Sequence, residues 1–160
     1  MRETERRPVP ASPSWPTPRH VVLASAALYA LSLALPALRE VGLGVDDDRG
    51  WEVLATGWAG LLFLQFAWFA NLLWVAGLVH LCRGAWKSAA TWASVAVVVA
   101  AESFLLYSTG FVSDSGARIP IRLLAGFWVW WSSLWVLAIG AILLLRRQRN
   151  PERREGTIGS

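Results

Sequence analysis

One cysteine, Cys82, one lysine, Lys87, and two histidines are all that 160 residues contain of those types. A lone thiol excludes an internal disulfide and leaves the redox compartment undecided. His80 and Cys82 supply too few ligands for a metal site. Charged residues make up 16% of the chain, against about 25% in soluble domains. No glycine-rich phosphate loop, nucleophile elbow or zinc-binding helix is present, and Ser132 and Ser133 have no histidine at their depth to activate them. The sequence therefore predicts neither an enzyme nor a bound cofactor.

What is abundant is apolar. Hydrophobic residues reach 55%, with eleven tryptophans, and they gather into four runs at 21–38, 60–82, 89–109 and 123–145. Eighteen residues at about 1.5 Å each span roughly 27 Å, enough to cross a bilayer. The expected fold is an all-α membrane protein, a four-helix transmembrane bundle over 20–145. It is flanked by a Pro/Arg-rich disordered tail at 1–19 and a basic one at 146–160. The first run reads as a retained anchor rather than a cleaved signal peptide: its apolar part is long, and Pro36 and Arg39 follow it without a small-x-small cleavage site. Trp51, Val53, Leu54 and Trp58 fall at helical spacings, which predicts a short interfacial helix in the first outer loop.

Basic residues set the orientation. Eleven of the fifteen Lys and Arg lie in the two tails and the 83–87 loop, leaving Arg39, Arg49, Arg118 and Arg122 in the other two loops. That asymmetry places both termini in the cytoplasm. Fourteen arginines against one lysine suggest a GC-rich bacterial genome, hence a bacterial inner membrane. The net charge of +4 flanks apolar spans, so anionic lipid headgroups rather than nucleic acid are its expected partner.

Inside the runs, Glu102 is the single acid. A carboxylate at membrane depth is costly, so it should face the bundle or a wet cavity. Helix-by-helix depth places Gln65, Trp68 and Asn71 of the second run near it, on one side of that helix. Tyr29 and Ser32 come from the first run and Ser132 from the fourth. Trp128, Trp131 and Trp135 of the fourth run form an i, i+3, i+7 stripe. The predicted polar layer thus comprises Glu102, Gln65, Asn71, Trp68, Tyr29, Trp131, Trp135 and Ser132. It serves either as a pocket for a lipid or quinone-like ligand or as interhelical glue.

Smaller signals read plainly. His20 and His80 read as interfacial side chains, with axial haem ligation the competing reading. Asp46, Asp47 and Asp48 read as a solvated acidic turn. Ala89/Ala93 and Ala96/Ala100, with Gly126 and Gly140, are small-residue positions that let helices approach closely.

The segments "GWAG" (57–60), "FAWFAN" (66–71) and "GFW" (126–128) resemble those of short bacterial four-helix inner-membrane proteins, which carry GWxG, FAWxAN and Gly-aromatic-Trp segments. The resemblance implies a fold and a location, and no activity. The functional expectation is a non-enzymatic accessory subunit binding a protein partner, a second copy of itself or a lipid-like ligand around Glu102. A small transporter or proton-coupled permease component comes second, and a haem-binding redox subunit third.

Overall fold

A computed structural model of the chain describes residues 16–40, 47–63, 65–109, 111–112 and 118–149. Most of the expected tails, residues 1–15 and 150–160, lie outside the described residues, as does Asp46. The described chain is mostly helical, with α1 (Pro18–Ala34), α2 (Gly50–Thr56), α3 (Ala70–Cys82), α4 (Trp86–Ala100), α5 (Glu102–Thr109) and α6 (Ala125–Arg149). Short strands β1 (Pro36–Glu40), β2 (Asp48–Arg49), β3 (Phe111–Val112), β4 (Arg118–Ile119) and β5 (Ile121–Leu123) join them.

Local chemistry explains the helix ends. Thr17 caps α1 by accepting from the His20 N–H, and Pro18 sits in the first turn, where its missing N–H is harmless. At the far end Pro36 forbids continuation, and Leu35 turns extended. The first apolar run therefore ends as a helix at Ala34, and its last residues enter β1. Gly84, at φ 73°, adopts the left-handed conformation that closes α3 and starts α4 two residues later. The last helix runs on to Arg149, past the expected end at 145, and its arginines complement the negative end of the helix dipole.

The helices pack in the order α1, α6, α4, α3. Small residues make this possible. Ala89, Ala93, Ala96 and Ala100 are fully buried and line one face of α4 at helical spacing. A Cβ added at Gly140 would stand 2.4 Å from Val21 Cγ1, so the close crossing of α1 on α6 depends on this glycine. Leu81, Leu134 and Leu137 fill the centre. Larger apolar residues turn outward on every long helix, among them Leu23, Leu72, Val98 and Ile139.

A small sheet accompanies the expected helices. β1 lies between β2 and β5, antiparallel to both, with Leu38 opposite Leu123 and Glu40 opposite Ile121. It caps the bundle end where α1 finishes and α6 begins. The helix α2 stands beside it, tied down where the Gly50 N–H donates to the Leu35 carbonyl at 3.0 Å. α2 contains Trp51, Val53 and Leu54 of the helix expected there, while Trp58 falls in the 3₁₀ segment that follows.

The second apolar run departs most from expectation. It is not one helix over 60–82. Residues Gly57–Phe63 and Ala67–Phe69 form 3₁₀ turns, and regular α-helix starts only at Ala70. In the third run a single turn residue, Ala101, separates α4 from α5. Trp86–Leu105 and Ala125–Arg149 are the two helical stretches long and apolar enough to cross a membrane among the described residues; α1 and Ala67–Cys82 are shorter apolar helices.

Candidate functional site

Between the cap and the bundle end lies a cavity of about 410 Å³, within the size range of small-ligand pockets. Its floor is built by α1, α3 and α6. The Asn71 side-chain oxygen accepts two hydrogen bonds, from the Tyr29 hydroxyl at 3.0 Å and from the Trp130 indole N–H at 2.9 Å. The Asn71 amide nitrogen donates to the Trp68 carbonyl at 2.9 Å. One amide thus ties three helices together, and every polar atom it touches is satisfied.

Below this hub the polar contacts continue. Tyr29 stacks on Trp74 with ring centroids 4.1 Å apart and planes 12° from parallel. The Trp74 indole donates to the buried Ser25 hydroxyl at 2.9 Å, and Ser25 donates to the Ser133 carbonyl at 2.8 Å. In an apolar interior such bonds fix helix register, because a slipped helix would strand buried donors.

The side wall is the unwound segment and α2. Trp68 donates its indole N–H to the Leu54 carbonyl at 2.8 Å, latching the start of the third helix to the cap. Gly57 faces this indole so closely that a Cβ there would lie 2.7 Å from Trp68 Cδ1. The Gln65 side chain lines the cavity and has no hydrogen-bond partner among the described residues. The GWAG and FAWFAN segments thus both contribute to the cavity wall.

Glu102 stands elsewhere. Its carboxylate accepts from the Phe66 backbone N–H at 2.7 Å and does not line the cavity. It occupies an N–H that the break in the second run sets free. The expected layer therefore separates. Tyr29, Gln65, Trp68 and Asn71 come together at the cavity, while Glu102 braces the break beside it.

Trp131, Trp135 and Ser132 are not brought to the cavity. Trp131 packs edge-on against Phe104, with centroids 5.1 Å apart. Trp135 is 43% exposed on the outer face of α6. The exposed Ser132 returns its hydroxyl to the Trp128 carbonyl at 2.8 Å. Trp130 takes the place expected for this stripe. The signal for it was the spacing of Gly126, Ser133 and Gly140, which marks the packed face of α6 at heptad intervals, with Trp130 between the first two. Large indoles at 128 and 135 point away from that face.

The rim carries charge. Glu40 of β1 and Asp48 of β2 line the cavity. Desolvation, then the Glu52 and Asp47 carboxylates, push the Asp48 carboxyl above its ordinary value. Asp47 is held by Arg39 through two hydrogen bonds of 2.5 and 2.7 Å, which lower its carboxyl from the usual range. His20 meets the Thr17 hydroxyl at 3.1 Å at the start of α1, His80 lies in the last turn of α3, and neither lines the cavity. Comparisons with known protein families, curated proteins and solved structures give no match to this chain.

Proposed function

We propose that this chain is a four-span protein of a bacterial inner membrane, with both termini cytoplasmic and a non-enzymatic role in binding a lipid-like ligand on the outer side. The four-span reading is supported by the inverted distribution of side-chain size. Alanine and glycine fill the contacts between helices, while Leu23 at 66% and Val98 at 72% exposure point outward, a pattern suited to lipid contact and unfavourable in water. In this reading α1 and the Gly57–Cys82 stretch are the remaining two spans, and the cap lies in the outer leaflet interface.

The ligand reading rests on one observation, the cavity of about 410 Å³ with an apolar wall and a satisfied polar floor. The broken helix beside it favours the second reading, a small transporter component, since non-helical backbone at membrane depth is tolerated where it lines a cavity and recurs at transport sites. An oligomer or a protein partner would sit on the outward apolar faces.

Native mass spectrometry of the chain taken from its own membranes tests the ligand reading. Wild type should carry one small amphiphile, and Ala59→Trp, which fills the cavity wall, should lose it. Equal cargo in both forms contradicts the proposal.

A further inference from the structure

We infer that the cavity selects amphiphiles whose headgroup is a cation, a protonated amine or quaternary ammonium on a single apolar chain. The inference rests on the ligand reading above and names the ligand class.

The charges lining the cavity are of one sign. Glu40 and Asp48 are the ionisable acids or bases among the described lining residues other than Tyr29, and both are carboxylates. They lie on β1 and β2, neighbouring strands held by backbone pairing, so their placement at the rim does not depend on flexible loops. Neither has an ion-pair partner among the described residues. Arg39, next to Glu40, is engaged by Asp47, and Arg49, next to Asp48, does not line the cavity.

Donors and acceptors are unevenly used. At the floor the Tyr29 hydroxyl and Trp130 indole already spend their hydrogens on Asn71, which leaves the Gln65 amide on the wall, a neutral donor, to meet an anionic headgroup. At the rim two carboxylates offer acceptors with no ion-pair partner among the described residues. A headgroup that donates or carries positive charge satisfies the rim, whereas a phosphate or carboxylate is repelled by it. The indole of Trp68 and the ring of Phe127 line the same space, and aromatic faces attract ammonium groups further. Leu33, Val53 and Leu54 provide apolar surface for the chain.

Calorimetric titration of the full chain in dodecyl maltoside micelles, with empty-micelle heats subtracted, tests this with octyltrimethylammonium, 1-octanol and octyl sulfate. The ammonium should bind at least about tenfold tighter than octanol, and octyl sulfate weaker than octanol. In the double variant Glu40→Gln/Asp48→Asn the ammonium should fall to octanol's affinity while octanol binding stays unchanged, which also reports an intact cavity. Equal affinities for ammonium and octanol in wild type overturn the inference, as does a preference that survives in the double variant. Failure of all three probes to bind overturns the ligand reading itself.

Discussion

The Glu102 carboxylate and the Phe66 backbone N–H meet at 2.7 Å across 36 residues of sequence. The contact joins the start of α5 in one apolar run to the break in another. Replacing Glu102 with Gln keeps an acceptor, and replacing it with Leu does not. Glu102→Leu should lower stability by about 1–2 kcal/mol, the low end for a charge-assisted bond because the site is exposed. Glu102→Gln should lose less than half of that. Thermal unfolding in maltoside micelles measures both.

Asn71 carries a larger load. Asn71→Leu leaves the Tyr29 hydroxyl and the Trp130 indole without their acceptor and should cost about 2–4 kcal/mol. Tyr29→Phe alone should cost about 1 kcal/mol, and in the Asn71→Leu background it should recover stability by removing an orphaned hydroxyl. Additive losses across this double-mutant cycle would contradict the hub.

The crossing of α1 on α6 depends on Gly140 facing Val21. Gly140→Ile should destabilise the bundle by more than about 2 kcal/mol through overpacking. Val21→Ala in the same chain should restore part of the loss, since the clash lies with that side chain. A Gly140→Ile protein that unfolds like wild type contradicts the close approach.

Asp48 at the rim and its neighbour Asp47 predict opposite pH effects. The Asp48 carboxyl is raised, so its ionisation opposes folding above the folded value, and this burden disappears as pH falls below the unfolded one. Asp48→Asn should therefore stabilise the protein near neutral pH and make no difference in strong acid. Asp47 is lowered, so its contribution is present above the unfolded value and lost as pH falls through the folded one. Asp47→Asn should weaken the cap at neutral pH and be silent in strong acid. Hydrogen exchange of the α2 and β2 amides at both pH values reads the two effects.

Helices were legible where their cause is local. Runs of apolar residues marked the long helices, and Trp51, Val53 and Leu54 marked α2, with Trp58 beyond its end. The sheet was not legible, because strands of two to five residues have no readable alternation and their pairing is set by where α1 and α6 end. The break before Ala70 was invisible for a related reason. Apolar periodicity cannot tell a helix from an unwound segment whose N–H is met by a carboxylate 36 residues away. Of the site, Tyr29, Gln65, Trp68 and Asn71 were singled out by polarity, depth and helical spacing, although the regular helix that this spacing assumed for Gln65 and Trp68 starts only at Ala70. Trp130 was missed by following the largest side chains, whereas the buried face of α6 is marked by its smallest.

The proposed membrane bundle opens its cavity on the outer side. In a Cys82→Ser background, single cysteines at Thr56, on the cavity wall, and at Gln148, in the last turn of α6, can be probed on intact cells with a membrane-impermeant maleimide. The account predicts labelling of Thr56→Cys on intact cells and of Gln148→Cys only after permeabilisation. The reverse pattern, or equal labelling of both positions on intact cells, would contradict it.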